Sequence, residues 1–529
     1  MLRRTPAMSK LKRCLCSLGS SLLLIGSCLT GITVSADENG GYTENSSNYT
    51  AAEGGVKVSG AESSVEKLTI PAKTDRGDKV VAIGDNAFSP CTALKAVTIE
   101  SGLTEIGQGA FSQCIALESI SIPDSVTKIG QGAFYYCMAL ESLELPDSIE
   151  SLGEYLCSNC YALRTVKLPK GLRTMPSYAF YYDIGLEEMT LPDGMESVSA
   201  MSFVNCLSME TLSIPASLTD LGDYSMLSCS GLTGFKVDPN NRVYRTNGEG
   251  WLVTKDGTTL VMYPAGREEK TAAVPNGITT VKPYAFSGAL ALEEVRLPDS
   301  LTTLGDGTFA DCRKLKSISL PFRLTELPPS LFANCESLTE VALPANIAKI
   351  GNYAFYCTGL ADITIPESVT EIGSCAFCGC NALREATVPK TVTKIGEMAF
   401  GYTANSEEEG AAPTLDPSFV LHGTPNSAAK EYAASSGVTF KQHGIDLTVL
   451  LCILVGAAAL IIILCGIFWK KKHPQPETAN ETKPEEIDDP NYSSILEDDG
   501  EDGDLYDRSI GFSSEDEDAD ADGEAPEEE

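Results

Sequence analysis

Apolar and polar residues alternate over short stretches of this chain. In "LESISIPDSV", Ile120 and Ile122 alternate with Ser119 and Ser121, a period of two that is typical of a short strand with one buried face. Pro123 follows, and it ends the strand because proline has no amide hydrogen to donate to a sheet. The pattern therefore predicts strands of a few residues that are open to solvent on one face.

This stretch belongs to a unit that recurs at a nearly constant interval. The phrase Ile/Leu/Val-Gly-x-x-Ala-Phe-x-x-Cys-x-x-Leu begins about thirteen times, with 23 residues between most neighbouring starts. The copies begin at Ile83, Ile106, Ile129, Leu152, Met175, Val198, Leu221, Val281, Leu304, Leu327, Ile350, Ile372 and Ile395. A unit this short cannot bury its own apolar face, so neighbouring copies must stack. The repeat predicts an α/β-type solenoid with coils of about 23 residues, each adding one strand to a parallel concave sheet.

Within one copy, the residues after the strand are expected to carry the chain back over the core. Val126 and Ile129 begin this return, and Gly130 is expected to supply a tight turn. Phe134 supplies bulk on the convex side, and a phenylalanine recurs at this place in most copies. We interpret these phenylalanines as core residues and not as a ligand site.

The N-terminal part of the chain differs from the repeats. Residues 1–36 have the features of a signal peptide, with basic residues, an apolar run from Leu15 to Val34, and a small-residue cleavage site at Val34-Ser35-Ala36. An alternative is a lipoprotein-type site at Cys28. Residues 37–64 are interpreted as a flexible N-terminal segment.

A second apolar run occupies 447–469, and its length fits the roughly 20 residues of a transmembrane helix. Lys470, Lys471 and Lys472 follow it, and positive charge collects on the cytoplasmic side of a membrane span. The sequence therefore predicts a single-pass protein of the plasma membrane, with the repeats extracellular and the C-terminus cytoplasmic.

The negative net charge of the chain limits the classes of molecule that it can bind. The chain carries 39 Lys+Arg against 73 Asp+Glu, a net charge of −34. Binding to a phosphate backbone needs basic patches that such a chain does not supply, so we exclude nucleic acid as a partner. Residues 470–529 are strongly acidic and poor in aromatic residues, and we interpret them as a disordered cytoplasmic tail.

On these repeats, the chain resembles the BspA-like leucine-rich repeat proteins of bacterial and some protist cell surfaces, from roughly Val65 to Lys441. Val237–Pro264 is similar to the β-hairpin unit inserted in that family, and Phe419–Phe440 is similar to its closing cap. The resemblance implies a curved solenoid used for adhesion or protein recognition. The corresponding segments are repeat blocks at 65–236 and 275–403, a hairpin insertion at 237–274, and a C-terminal cap and linker at 404–446.

Cysteines recur eight residues after the start of most copies, so a solenoid places them in one column. An exported protein favours disulfides, but neighbours in a column project in parallel and no even pairing scheme is visible. A buried free cysteine behaves as a small hydrophobe with a weak thiol donor. We therefore predict a structural thiol ladder of Cys91, Cys114, Cys137, Cys160, Cys206, Cys229, Cys312, Cys335 and Cys380.

Catalytic chemistry has little support in the sequence. Cys157-x-x-Cys160 and Cys375-x-x-Cys378-x-Cys380 have a spacing that a metal or redox site can use, but Cys160 and Cys380 already belong to the ladder. The chain has only 3 histidines, and no phosphate-binding glycine loop or Gly-x-Ser-x-Gly turn is present. We expect no enzyme activity, catalytic residue, cofactor or metal.

Aromatic residues favour one edge of the solenoid as the binding surface. The predicted sheet face is small and polar, whereas tight interfaces depend on buried Trp, Tyr and Arg. Tyr135, Tyr136, Tyr181 and Tyr182 follow the phenylalanine in copies two repeats apart, which places them on one lateral edge. These four are the predicted partner-binding residues, and the alternative is that their rings pack over neighbouring repeats.

Together these features predict a membrane-anchored recognition or adhesion protein of the cell surface that binds an extracellular protein or glycan. The alternative is a receptor or scaffold that couples ectodomain binding to the acidic tail, with Tyr492, Ser513 and Ser514 as candidate modification sites. Deletion of the tail distinguishes the two, since adhesion survives it and signalling does not.

Overall fold

The structure is a computed structural model, and it describes residues 42–44, 46–404, 412–442 and 447–472. The predicted signal peptide at 1–36 and residues 473–529 of the predicted tail lie outside this range. The chain divides into two compact units, one ending at Ile453 and the other beginning at Leu454. The repeats belong to the first unit.

The strands predicted from the alternating pattern form in most coils, and we call them the face strands. They pair in parallel with strands of the neighbouring coil, as Leu143 does with Val166. Their apolar residues point into the core and their polar residues point to solvent. The face strands are Lys67–Ile70, Ala96–Ile99, Ser119–Ser121, Ser142–Glu144, Thr165–Lys167, Glu188–Thr190, Thr211–Ile214, Gly234–Val237, Thr271–Ala273, Glu294–Arg296, Ser317–Ser319, Glu385–Thr387, Val420–Gly423 and Thr439–Gln442.

A second row of parallel strands, the anchor strands, forms where each repeat phrase begins. Ile106 pairs with Ile83 on one side and with Ile129 on the other, so residues 23 positions apart stack directly. The anchor strands are Val80–Ile83, Glu105–Ile106, Lys128–Ile129, Ser151–Leu152, Thr174–Met175, Ser197–Val198, Asp220–Leu221, Thr280–Val281, Thr303–Leu304, Glu326–Leu327, Lys349–Ile350, Glu371–Ile372 and Lys394–Ile395.

The repeats form a β-solenoid, so their predicted α/β character is wrong, while the coils of about 23 residues and the parallel sheet are confirmed. Residues 46–404 contain no helix. The part of each coil that carries the recurring phenylalanine is built from turns whose backbone groups bond between coils, as when the Phe111 N–H donates to the Ala133 carbonyl at 2.8 Å. A helix is unnecessary there because the neighbouring coil already satisfies these groups.

The recurring phenylalanines form a stacked column in the core, as predicted. The rings of Phe88 and Phe111 lie 5.0 Å apart, and those of Phe309 and Phe332 lie 5.6 Å apart. Cys157 occupies the phenylalanine position of its own coil and is fully buried. The column is therefore interrupted in the N-terminal block.

Gly130 is required for close packing of coils and not for the predicted tight turn. A Cβ atom at Gly130 would lie 2.5 Å from the backbone nitrogen of Gln108 in the preceding coil. The left-handed backbone of the turn lies two residues later, at Gly132 with φ 59. Tyr155 and Tyr178 hold this left-handed position in the next two coils, with φ 57 and 58.

The segment 37–64 was expected to be flexible, and this prediction is wrong for its described residues. Alternating apolar residues of Gly55–Ala61 face inward, and Val58 pairs with Ile83 of the first anchor strand. Tyr49 and Val58 are buried, so this segment covers the N-terminal end of the solenoid. Its strands are Tyr42–Glu44, Ser47–Ala52 and Gly55–Ala61.

Three further strands make up the insertion between the two repeat blocks. They pair in antiparallel order, and the last one joins the anchor row through Leu260 and Val281. Tyr263 then takes the phenylalanine position and stacks on Phe286 at 4.9 Å. The insertion strands are Tyr244–Thr246, Leu252–Thr254 and Thr259–Met262.

The C-terminal cap combines strands with a short helix, Ala428–Ser436, that lies between the last two face strands. Tyr432 of this helix is buried, and its hydroxyl donates to the Phe400 carbonyl at 2.8 Å. The ring of Tyr432 thereby covers Phe400, on which Phe419 also stacks at 6.2 Å. Two short strands, Tyr402–Thr403 and Thr414–Leu415, pair beside it.

A second helix covers Leu447–Lys472. Its described side chains, at 453–465 and Phe468, are exposed. Counted over the residues that the structure describes, no helix is long and apolar enough to cross a membrane. The transmembrane segment at 447–469 stays a prediction.

A tyrosine edge as the candidate binding surface

Tyrosines reach one lateral edge of the N-terminal block from several positions of the coil. Tyr155 and Tyr178 project from the left-handed position described above, and Tyr136 and Tyr182 project from a second one, with φ 59 and 62. A side chain on a residue with positive φ points in a different direction from one on a residue in the right-handed or extended region. The tyrosine edge consists of Tyr135, Tyr136, Tyr155, Tyr161, Tyr178, Tyr181 and Tyr182.

Contacts between rings gather the edge into two groups, one of Tyr135, Tyr136 and Tyr161 and one of Tyr155, Tyr178, Tyr181 and Tyr182. Tyr135 and Tyr136 meet edge to face at 4.6 Å, and Tyr181 and Tyr182 lie at the same spacing. The strand spacing predicts roughly 10 Å between the two pairs, and the coil between them contributes the rings of Tyr155 and Tyr161. Those of Tyr155 and Tyr178 stack at 4.5 Å with an interplanar angle of 4°, Tyr178 contacts Tyr181 at 5.6 Å, and Tyr161 approaches Tyr136 at 6.5 Å.

The members of the edge differ in burial. Tyr182 is only 6% exposed and packs with Val204 and Leu227 in a small apolar cluster outside the main core. The alternative interpretation, packing over neighbouring repeats, therefore describes Tyr182. Tyr135, Tyr136 and Tyr181 are half-buried, so each keeps part of its ring at the surface.

Four hydroxyl groups of the edge are held in the neutral form by a raised pKa. Burial raises the pKa of Tyr135 to about 12, and the adjacent Tyr136 hydroxyl adds to the effect. Burial also raises the pKa of Tyr181, Tyr155 and Tyr161. These groups can therefore donate as well as accept hydrogen bonds from a partner.

The apolar cluster under the edge extends to the insertion. Tyr224 and Tyr284 are 60 positions apart in the sequence, yet their rings meet edge to face at 5.1 Å. Lys282 and Asp223 form an ion pair at 3.8 Å beside these rings. A cavity of about 90 Å³, lined mainly by apolar atoms, lies behind them.

Comparison of the sequence with models of known protein families identifies the repeat family. The model of the BspA type leucine rich repeat region matches residues 61–187, 157–247 and 279–407, which is more than half of the chain. The chain belongs to this family.

Solved structures of leucine-rich repeat proteins are similar to this BspA-type protein. A leucine rich cell surface protein from Faecalibacterium prausnitzii A2-165 is 28% identical over 69% of this chain and 92% of its own, with a TM-score of 0.48. A leucine-rich repeat protein from Bacteroides ovatus is 24% identical over 76% and 100%, with a TM-score of 0.44. The pneumococcal vaccine antigen PcpA is 19% identical over 77% and 99%, with a TM-score of 0.48. No curated protein matches the chain.

The cysteine column of this BspA-type chain lies inside the solenoid. Thiols donate to the carbonyl oxygen of the phenylalanine one coil earlier, as Cys137 does to Phe111 at 3.2 Å and Cys229 does to Phe203 at 2.9 Å. Cys91, which begins the column, is half-buried. The other members with this bond are Cys114, Cys160, Cys206, Cys312, Cys335 and Cys380.

Asp183 interrupts that column. It is fully buried, and one of its carboxyl oxygens accepts the Cys160 N–H at 2.7 Å. The other oxygen has no hydrogen-bond partner among the described residues. Burial raises the pKa of Asp183 well above its usual value, so the neutral acid is favoured.

The two Cys-x-x-Cys motifs do not assemble into a metal site. Over the described residues, no group of three or more His, Cys, Asp or Glu side chains could hold a metal ion. All cysteines of the repeats are free thiols in the structure.

Proposed function

We propose that this BspA-type repeat protein is a membrane-anchored protein of the cell surface that binds an extracellular protein or glycan through its solenoid. The observation that supports this best is the tyrosine edge, where half-buried rings contact one another across successive coils. Tyrosine offers a large, rigid contact area with a polar tip at low entropic cost. Such rings are suited to stacking on sugar rings or on protein side chains.

The sheet face is a weaker candidate for the same role. Its exposed residues are small or charged, such as Ser119, Ser121 and Glu144. An isolated hydroxyl exchanges a water contact for a partner contact at little net gain. We therefore assign recognition to the edge and only supporting contacts to the face.

Membrane anchoring is supported by the sequence. The apolar run 447–469 and the lysines that follow it favour a single span with the repeats outside. Protease added to intact cells is expected to remove the repeats and to spare an epitope placed after Lys472. Degradation of that epitope on sealed cells would reverse the proposed orientation.

The binding proposal is tested with the full chain on a glycan array and on immobilised extracellular matrix proteins. A triple change of Tyr135, Tyr136 and Tyr181 to Ser removes three of the half-buried rings and leaves Tyr182 in its apolar cluster. Losing anchor residues of this kind is expected to weaken binding by roughly 30-fold or more. A matched triple change to Phe keeps the ring packing and shows the part played by the hydroxyls.

A face variant with Ser119 and Ser121 changed to Ala is the control, and it should bind like the wild type. Full binding by the Ser-substituted edge variant, with its thermal unfolding unchanged, would exclude the edge. Loss of binding by the face variant would instead place recognition on the sheet.

The alternative role as a receptor or scaffold depends on the acidic tail. Removal of 473–529 should leave binding to the array and the matrix proteins unchanged. A cellular response that disappears with the tail, while binding persists, would favour the receptor.

A further inference from the structure

A cavity lies where the insertion interrupts the row of anchor strands. Asp220–Leu221 is an edge strand of one sheet, and Thr280–Val281 belongs to the next sheet. Tyr244 stands 23 positions after Leu221, and in place of backbone pairing its hydroxyl accepts the Leu221 N–H at 3.0 Å. The two coils are not drawn together by strand pairing here, and a space of about 90 Å³ remains between them.

The walls of this cavity are largely apolar. Leu221 and Leu227 come from the coil before the insertion, and Val243, Val261 and Met262 come from the insertion itself. The two leucines, Val261 and Met262 are at most 8% exposed. The volume lies between the roughly 15 Å³ that a water molecule needs and the roughly 150 Å³ of an apolar cavity that binds benzene. The space therefore suits a small apolar group of at most about one ring.

Charged and aromatic side chains form the mouth of the cavity. Asp223 and Lys282 both line it, form an ion pair at 3.8 Å, and have side chains that are 60% and 47% exposed. The rings of Tyr224 and Tyr284 also line it and meet edge to face at 5.1 Å. Because an ion pair this exposed contributes little to stability, a ligand can displace it easily.

The charges around the mouth favour a cationic ligand. Asp306 is half-buried beside Tyr284, since its carbonyl accepts the Tyr284 N–H at 2.8 Å. Burial raises the pKa of Asp306, and the charges of Glu326 and Asp223 raise it further. Lys282 supplies the only positive charge among the described residues that line the cavity. An ammonium group would relieve the repulsion between these carboxylates and is also attracted to tyrosine rings.

We propose that this cavity binds a small organic amine, with its apolar group between the walls and its ammonium group at the mouth. The apolar group packs against Leu227, Val243 and Met262, and the ammonium group lies between the Asp223 carboxylate and the tyrosine rings. No member of the tyrosine edge, all of which the structure describes, lines this cavity. The site is therefore separate from the surface to which recognition is assigned.

The test titrates the full chain with benzylamine, benzyl alcohol and benzoate, which share one ring and differ in charge. Isothermal titration calorimetry should show saturable binding of benzylamine. Its affinity should exceed that of benzyl alcohol about fivefold, because the ammonium group adds contacts with a carboxylate and with aromatic rings. Benzoate should bind most weakly, since the carboxylates at the mouth repel it.

Two variants locate the bound amine. Val243→Phe places a larger side chain in the cavity and should abolish binding of benzylamine and benzyl alcohol alike. Asp223→Asn should reduce the affinity for benzylamine to that for benzyl alcohol and leave the latter unchanged. Because Asp223 is exposed, this variant is expected to fold even if the first does not.

Glu154→Gln is the matched control. Glu154 is exposed and precedes Tyr155 as Asp223 precedes Tyr224, but it does not line the cavity. This variant should bind benzylamine like the wild type, and an equal loss of affinity in both carboxylate variants would indicate a general effect of surface charge and overturn the proposal. So would absence of saturable benzylamine binding, benzoate binding as tight as that of benzylamine, or full benzylamine binding by a folded Val243→Phe variant.

Discussion

The two repeat blocks share one coil but differ in what fills its columns. In the C-terminal block, the rings from Phe286 to Phe400 follow one another without a break at centroid spacings between 4.8 and 5.6 Å. In the N-terminal block, Cys157 replaces a phenylalanine, Asp183 replaces a thiol, and tyrosines cover one edge. The C-terminal block, which we call the regular block, shows that a continuous phenylalanine column stabilises the coil. The substitutions in the N-terminal block accompany the tyrosine edge, where recognition is proposed.

The largest effect is expected from breaking the regular column. Phe309 is fully buried between the rings of Phe286 and Phe332, so Phe309→Ala should lower the free energy of unfolding by about 3–5 kcal/mol. Cys157→Ala removes a much smaller side chain from the interrupted column and should cost about 1–2 kcal/mol. Urea denaturation compares the two, and equal losses would contradict the greater contribution that we assign to the regular column.

A smaller gain is expected from restoring the interrupted thiol column. Asp183→Cys removes a buried carboxyl with one unpaired oxygen and should stabilise the protein by about 1–3 kcal/mol at pH 7. The folded-state pKa of Asp183 lies above its unfolded value. Its contribution to stability is therefore present at low pH and is lost as the pH rises from the unfolded pKa through the folded one.

Urea denaturation between pH 4 and pH 8 checks this sign. The wild type should lose stability relative to Asp183→Cys as the pH rises. A constant difference between the two proteins across this range would show that Asp183 does not titrate differently on folding.

The ladder thiols are expected to contribute modestly and to remain unpaired. Cys137→Ala should cost about 1–2 kcal/mol through lost packing and the lost bond to the Phe111 carbonyl. In the unfolded wild type, alkylation without prior reduction should reach every ladder cysteine. Crosslinks between neighbouring ladder members in the mass spectra would contradict the free-thiol prediction.

Much of the fold follows from the spacing of residues, because stacking 23 positions apart aligns face strands and phenylalanines alike. The anchor strands were missed, since two residues such as Lys128 and Ile129 are too few to show a period. The strands within residues 46–61 were also not predicted, although Val56 and Val58 alternate with other residues in the period-two pattern of a strand.

The sequence predicted only some of the tyrosines that form the candidate site. Tyr135 and Tyr181 directly follow a phenylalanine, so their place on the edge can be predicted from the repeat. Tyr155 and Tyr178 lie on the edge because their backbone is left-handed, and the spacing of the repeats does not predict that conformation. The interval of 23 residues between Tyr155 and Tyr178 was the available signal. Burial of Tyr182 depends on Val204 and Leu227 of later coils, which no local pattern indicates.

The most direct test of recognition by the tyrosine edge is a footprint on the full chain. Tyrosine iodination is followed by mass spectrometry with and without the array component or matrix protein that binds most tightly. Protection is expected at Tyr135, Tyr136 and Tyr181, while the exposed Tyr353 of the regular block stays reactive. Unchanged iodination of the edge, together with protection at Tyr353 or of the sheet face, would contradict the account.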